Sequence, residues 1–298
     1  MGVRFLKTII EKHCKNAYTT LSLFSLSNQT LIIDTNIFMY KFKSTYALEQ
    51  QFDNMLNKFI LYNITPIFVF DGIPESNKQF TIDNRKQKRE KSELIANSIK
   101  DKILNTTHKN KLKTLKKKLK YHENQSTKLH SYEFNNIKNL IQSYGFDIIQ
   151  AKHEADCICA KHNINNNSFA VITEDTDLLV YGSKFVIYNI DFDKDIFTIV
   201  HTNSLIKSLY IKSLYDFQQI CILSGTDYNK AYDIYISLCL YYFYIQTELK
   251  NKSFLTWCYT NNIISNKQYY LFTNIHDKYM FNENYISQIT EQPQQLQL

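Results

Sequence analysis

Glycine and proline are scarce in this chain of 298 residues, with five of one and three of the other. Few tight loops can therefore be built, and each glycine marks a place worth locating. The six cysteines (Cys14, Cys157, Cys159, Cys221, Cys239 and Cys258) form no CxxC pair and no regular framework. That argues against a disulfide scaffold and for reduced, mostly buried thiols in an intracellular compartment. Cys157 and Cys159 flank Ile158 in a predicted helix, so they point different ways and make a poor zinc site. An export signal is missing too: MGVRFLKTIIEK carries charges inside what would be its apolar stretch. Leu6 stands where a myristoylation motif needs Ser or Thr. The longest apolar run, Ile236 to Ile245, is too short and too rich in tyrosine to span a bilayer. These absences predict a soluble intracellular protein with no membrane partner.

What is present points to an ordered globular chain: 44% of residues are hydrophobic and 21% charged, the balance of a packed core with a solvated surface. The length suits one large domain, or a core with a smaller extension. The formal net charge of +7 is modest, and its distribution says more than its sum. Lys and Arg crowd into roughly residues 78–138, while the acids gather in short motifs elsewhere. A basic stretch beside an acidic cluster suits a polyanion held by cations and cut through metals.

Five short runs end in acids or polar turns: Leu31-Ile-Ile-Asp34, Ile67-Phe-Val-Phe-Asp71, Phe146-Asp-Ile-Ile149, Phe169-Ala-Val-Ile-Thr173 and Phe185-Val-Ile-Tyr188. Continuous rather than alternating apolarity predicts strands buried on both faces, the signature of a parallel sheet. Helical spacing lies between them at 48–62 and 133–144, so an α/β fold with right-handed crossovers is expected. Residues 84–130 read as one long, very polar helix, a protruding or partly mobile arm with too little apolar surface to join the core. Beyond Gly225 there is no glycine; residues 229–290 read as packed helices, and the Gln-rich tail 291–298 as disordered.

The chemistry-bearing residues are carboxylates. Asp34 and Asp71 each end a predicted strand, and ligands of open α/β sheets bind at the carboxyl ends of strands. Asp175 and Asp177 lie just beyond a third strand. Glu154 and Asp156 open a helix after a fourth, and Asp227 sits in a turn after an apolar helix. A single Asp at a strand end is as often a helix cap or turn former; repetition at several strand ends favours a joint site. Seven acids in one crevice would repel unless cations neutralised them. Hard oxygen ligands without a supporting His or Cys set point to Mg²⁺, with Mn²⁺ as a substitute. Two such ions can drive in-line phosphodiester displacement.

With these motifs in view, the chain resembles the XPG/flap-endonuclease family of structure-specific nucleases, including shortened members encoded by large DNA viruses. The likeness covers roughly 1–228 and rests on the opening MGxxxL pattern, then LIIDTN, IFVFDG, HEADCICA, ITEDTDLLVYG and LSGTDYN in order. It implies an α/β, parallel-sheet, PIN-like nuclease core at 1–228, with a helical arch at about 84–130 and a helical C-terminal extension at 229–290. The core comprises an N-terminal motif region at 1–95 and an internal one at 140–228. It places two metal ions per subunit on Asp34, Asp71, Glu154, Asp156, Asp175, Asp177 and Asp227, with Asp156 standing where Glu is more usual. Lys78 and Arg85 fall on the family's basic catalytic pair, seven and fourteen residues past Asp71 and so on one helix face. Tyr40 falls on an aromatic that stacks a base, and core packing is the competing account of it. Lys86, Lys88, Arg89, Lys116, Lys117 and Lys118 would meet DNA phosphates along the arch.

The implied activity is Mg²⁺-dependent cleavage of branched or 5′-ended DNA, 5′-flap-like and with 5′ exonuclease activity as an accompaniment, in replication, repair or recombination. DNA work implies a nuclear location, the host nucleus for a viral source, and a monomer. Two features depart from the family. No glycine hairpin follows Asn229, which puts in doubt the family's cation-dependent grip on duplex DNA. QPQQLQL also lacks the aromatic pair of a sliding-clamp peptide. A non-catalytic DNA-junction binder and a ribonuclease on the same fold are the alternative readings.

Overall fold

The structure is a computed structural model that describes residues 2–45, 47–74, 79–229, 232–247 and 252–281, with only the backbone of 79–82. Lys78 and the tail 291–298 lie outside the described residues. The first half runs α1 (Leu6–His13), β1 (Tyr18–Ser22), β2 (Thr30–Asp34), α2 (Thr35–Lys43), α3 (Leu48–Leu61), β3 (Thr65–Phe70), α4 (Gln79–Leu104), α5 (Lys109–Gln125) and α6 (Ser131–Ser143). It continues through β4 (Asp147–Gln150), α7 (Ala155–Ile164), β5 (Ala170–Ile172), α8 (Asp177–Val180), β6 (Phe185–Asp191) and β7 (Ile196–His201). Helices α9 (Thr202–Ser208), α10 (Leu214–Ser224), α11 (Ile234–Tyr244), α12 (Phe254–Thr260) and α13 (Asn266–Tyr279) follow.

The strands form one sheet in the order β1-β7-β6-β5-β2-β3-β4. From β6 to β4 all neighbours are parallel, while β7 pairs antiparallel with both β6 and β1. All five expected strand segments are strands. The two missed ones, β1 and β7, close one edge. β1 is almost wholly exposed, so it carries no apolar run to betray it. A short turn at Asp191–Asp195, in which Asp191 Oδ1 accepts from the amides of Asp193 and Lys194, returns the chain as an antiparallel hairpin.

Residues along the central strands alternate between two cores, as pleating requires. Ile32, Val69 and Val171 face a cluster built with α1 and α7 through α13. Leu31, Ile33, Phe68 and Ile172 face a second cluster under α2, α3 and α6. On α3, Phe52, Met55, Leu56 and Phe59 recur at helical spacing and are fully buried. Each such side chain contributes about 1.5–3 kcal/mol by leaving water.

The lysine-rich segment is a helical hairpin rather than one long helix. Ala96 and Ile99 of α4 are buried, and Lys100–Glu123 (2.9 Å) and Lys128–Glu93 (2.7 Å) tie the segment together. At the break, the side chains of Asn105 and Thr106 hydrogen-bond back to the carbonyls of Asp101 and Lys102. Such polar side chains compete with the helical ladder and end it without glycine or proline. Beyond Gly225, the tyrosine-rich run forms α11, whose Tyr241 is fully buried between Phe254 of α12 and the α10 side.

Candidate active site

β2 and β5 are neighbours, but the chain leaves β2 toward β3 and β4 and returns on the other flank through β5 and β6. α/β sheets place their ligands at such a reversal, beyond the carboxyl ends of the strands, here β2 and β5. Asp34 ends β2 and is the N-cap residue of α2, yet its side chain makes no capping bond. Instead its Oδ2 accepts from Thr173 Oγ1, at the end of β5, at 3.0 Å. Burial first, then the charges of Asp71 and Asp175, push the Asp34 carboxyl well above its ordinary range; the Thr173 hydroxyl and the nearby Asn36 amide pull the other way.

Asp71 lies one residue past β3. Its Oδ1 accepts from the Ala155 amide at the start of α7 (2.8 Å), and its Oδ2 accepts from Asn36 Nδ2 (2.6 Å). The positive end of α7 thus holds one carboxylate while Asn36 aims it. Gly72 makes this possible: a Cβ there would lie 2.1 Å from the Ala151 carbonyl oxygen. Glu154, the N-cap residue of α7, also leaves its cap unused. Its Oε2 accepts from the Tyr228 hydroxyl at 2.7 Å and lies 3.9 Å from Lys278 Nζ. Asp156 is half-buried in the first turn of α7.

The loop after β5 is no surface turn: Asp175, Thr176 and Asp177 are all buried. Asp175 Oδ1 accepts from the Asp177 amide (3.0 Å), and the Asp175 amide donates to Thr173 Oγ1 (3.1 Å). The N-terminal segment lies over this loop, with the Val3 amide donating to Thr176 Oγ1 at 2.9 Å. Gly2, at φ +82°, approaches so closely that a Cβ would sit 2.3 Å from Asp175 Oδ1. From the opposite end of the chain, the Tyr279 hydroxyl donates to Asp177 Oδ2 at 3.3 Å. Burial, then the charges of Asp177 and Asp175, raise that phenol well above its usual range, so it stays a donor.

Asp227 follows α10, and its Oδ2 accepts from Arg85 of α4 at 2.6 Å. Arg85 therefore lies beside one of the candidate acids. Tyr40 is exposed on α2 rather than packed in the core. Lys86, Lys88, Lys116, Lys117 and Lys118 are exposed and Arg89 half-exposed on the α4–α5 hairpin. His153 bonds the Ile73 carbonyl through Nδ1 (3.0 Å), a structural tie. All six cysteines are unpaired and only Cys239 is exposed; burial pushes the Cys157 thiol up to about 11, which leaves it inert.

Among the described residues no three His, Cys, Asp or Glu side chains close on one point tightly enough to hold an ion. The acids are instead held in place individually by Thr173, Asn36, Arg85, Tyr228, Lys278 and Tyr279. Their chemistry still fits a hard cation: the donors are oxygens, and Asp34 is destabilised by its acidic neighbours. Residue patterns did not foretell Asn36, Thr173, Lys278 or Tyr279 as part of this site. Asn36, Thr173 and Tyr228 all stood inside recognised motifs and could have been found there.

Two family models match the chain: the XPG N-terminal domain at residues 1–92 and the XPG I-region at 145–227, together more than half its length. Flap endonuclease 1 of Theileria parva is 28% identical over 247 residues, covering 76% of this chain and 47% of that protein. The chain thus spans about half the length of this curated relative. A RAD2-like endonuclease of Invertebrate iridescent virus 6 is 25% identical over 283 residues, covering 77% of this chain and 67% of that protein. Among solved structures, the catalytic core of Rad2 in complex with DNA substrate superposes with a TM-score of 0.65 at 20% identity, covering 95% of this chain and 87% of that one.

Proposed function

This chain belongs to the XPG/flap-endonuclease family of nucleases, and on that premise we propose that it is a Mg²⁺-dependent, structure-specific DNA endonuclease. The observation that carries the reading is the convergence of Asp34, Asp71 and Asp175 at the sheet's reversal, where Thr173 bridges Asp34 to the Asp175 amide and Asn36, two residues past Asp34, holds Asp71. Such a cluster is stable as anions only against cations. Asp34, Asp71, Glu154, Asp156, Asp175, Asp177 and Asp227 would hold two Mg²⁺ ions per subunit, with Mn²⁺ able to substitute. When bound, the ions supply an acidified water nucleophile and charge neutralisation for in-line displacement at phosphorus.

The protein's own groups do the rest. Arg85, paired with Asp227 at 2.6 Å, can exchange that carboxylate for the scissile phosphate, whose bidentate oxygens match a guanidinium. Lys78 joins it in the proposal as the second cation. Tyr40, exposed on the helix that follows Asp34, offers a ring for a base to stack on, a contact typically worth about 1–3 kcal/mol. The exposed lysines of α4 and α5 would track the phosphates of a 5′-ended strand, with α4 and α5 serving as the arch of a core at 1–228.

The proposed substrate is branched or 5′-ended DNA, cut at flaps and with 5′ exonuclease activity, in replication, repair or recombination within a nucleus. The protein is proposed to act as a monomer. Among the described residues no helix is long and apolar enough to cross a membrane.

Incubating the protein with end-labelled 5′-flap, bubble, nicked, single-stranded and RNA-containing substrates in Mg²⁺ tests the reading. Flap cleavage that disappears with EDTA and with Asp175→Ala is the expected result. Tight junction binding with no product would establish a non-catalytic binder instead, and preferred cutting of the RNA strand a ribonuclease.

A further inference from the structure

The candidate acids are not contacted only from the motif-bearing core. Lys278 lies in the last turn of α13 and is 6% exposed, although nothing in a helix terminus requires a buried lysine. Its Nζ lies 4.0 Å from the ring centroid of Tyr228 and 3.9 Å from Glu154 Oε2. The same oxygen of Glu154 accepts from the Tyr228 hydroxyl at 2.7 Å. Ammonium, aromatic ring and carboxylate thus form a closed triangle in which each group fixes the next.

The next residue, Tyr279, is 1% exposed. Its ring packs edge-on against Tyr181 at 4.7 Å, and its hydroxyl reaches Asp177 Oδ2 at 3.3 Å. Adjacent residues of one helix therefore engage two carboxylates that arrive from different elements, Glu154 at the start of α7 and Asp177 at the start of α8. Phe272, Ile275, His276 and Tyr279 share one buried face of α13, which anchors its last turn.

We propose that Lys278 and Tyr279 are positioning residues of the carboxylate site, Lys278 orienting Glu154 and Tyr279 orienting Asp177. The inference rests on the proposed nuclease reading and deepens it. It brings the C-terminal helices into the cutting chemistry, beyond the span of the matched family models, which ends at residue 227. Burying a lysine and a phenolic hydroxyl is unfavourable unless each meets a partner, and the partners here are site acids. Lys278 would also act as a resident cation that neutralises part of the cluster when divalent ions are absent.

That second role gives a signature that a merely structural residue lacks. Removing a positive charge beside ion ligands strengthens divalent binding, while loss of orientation slows the chemical step. In the full chain, Lys278→Met should bind Mn²⁺ about three- to tenfold more tightly by calorimetry without DNA. Its kcat on a flap substrate should fall about tenfold or more with KM little changed. Lys278→Arg, which keeps the charge, should stay near wild type in Mn²⁺ affinity. Tyr279→Phe keeps the packed ring and should lower kcat about tenfold without altering the thermal midpoint by more than a few degrees.

Wild-type Mn²⁺ affinity and kcat in both Lys278→Met and Tyr279→Phe would overturn the proposal while leaving the nuclease reading intact. Losses that merely follow a fall in folded population would overturn it too. A wild-type chain that neither binds Mn²⁺ nor cuts any DNA would remove the nuclease reading, and this inference with it. The wild-type arm of the same experiment shows which has failed.

Discussion

Gly2→Ala is the smallest change that should damage the acidic loop. Gly2 sits at φ +82°, and an added Cβ would lie 2.3 Å from Asp175 Oδ1, 2.4 Å from Thr176 Oγ1 and 2.9 Å from the Asp177 amide nitrogen. The last of these is backbone, so the N-terminal segment has to give way. Left-handed backbone costs an alanine about 1–2 kcal/mol. Withdrawing the segment breaks the buried bond from the Val3 amide to Thr176 Oγ1 and leaves two polar groups unmet, at about 1–3 kcal/mol. A loss of about 2–5 kcal/mol follows, because relieving the clash by movement gives up the bond. For a chain of this size that lowers the thermal midpoint by about 4–10 °C. Differential scanning calorimetry reads the midpoint, and flap cleavage reads the loop. Cleavage should fall about tenfold or more even well below the melting transition, since Asp175 and Asp177 both border the displaced segment. A variant melting within about 1 °C of wild type and cutting at full rate would refute the close approach.

Three further outcomes are expected. Arg85→Ala removes a half-exposed cation from Asp227, so stability should change by less than about 0.5 kcal/mol while the cleavage rate falls about 100-fold; parallel losses in both would contradict the assigned role. Replacing Lys116, Lys117 and Lys118 together by Gln should reduce the slope of log Kd against log salt by about 2, and an unchanged slope would remove the hairpin from the DNA path. Lys43→Met should destabilise the fold by about 1–2 kcal/mol near neutral pH, because it strands Glu133, which is buried at the start of α6. Burial pushes the Glu133 carboxyl up, but the Lys43 hydrogen bond and the His130 amide outweigh it and hold it below its ordinary value. The pair's contribution is therefore present above the unfolded carboxylate range and lost as pH falls through the folded value. The gap between Lys43→Met and wild type in urea titrations should accordingly close in acid, and a gap independent of pH would refute it.

Sheet and acids were legible in the sequence for one shared reason. β2, β3 and β5 are covered on both faces, so they read as continuous apolar runs, and an acid that ends such a run stands out against it. β1 and β7 form the antiparallel edge; the exposure of β1 gives no comparable run, and both were missed. The break between α4 and α5 was hidden because side-chain bonds from Asn105 and Thr106 make it, not a glycine or proline. Lys278 and Tyr279 were invisible for another reason. Tyr279 meets Asp177 across 102 residues of chain, and no local pattern encodes a contact that depends on how α10 through α13 fold back.

The loop between Thr173 and Asp177 is held from both directions of the chain. Val3 contacts it from the N-terminal side and Tyr279 from the C-terminal side, while Thr173 ties its base to Asp34. Asp34 and Asp71 would otherwise push Asp175 and its loop away, since the three carboxylates repel one another and burial weakens screening. Fixed donors spend their ordering entropy during folding, so the acids need little rearrangement when charge must be met. Recognisable motifs end near residue 228, but the physical site does not. Cutting the chain there would uncover the buried face of α10, with Phe217, Cys221 and Ile222 left without α11, α12 and α13. Such a truncation would lose the fold and the acid contacts together and could not tell them apart. Single-atom changes such as Tyr279→Phe keep the packing and remove only the donor, which is why the C-terminal contribution has to be read from them.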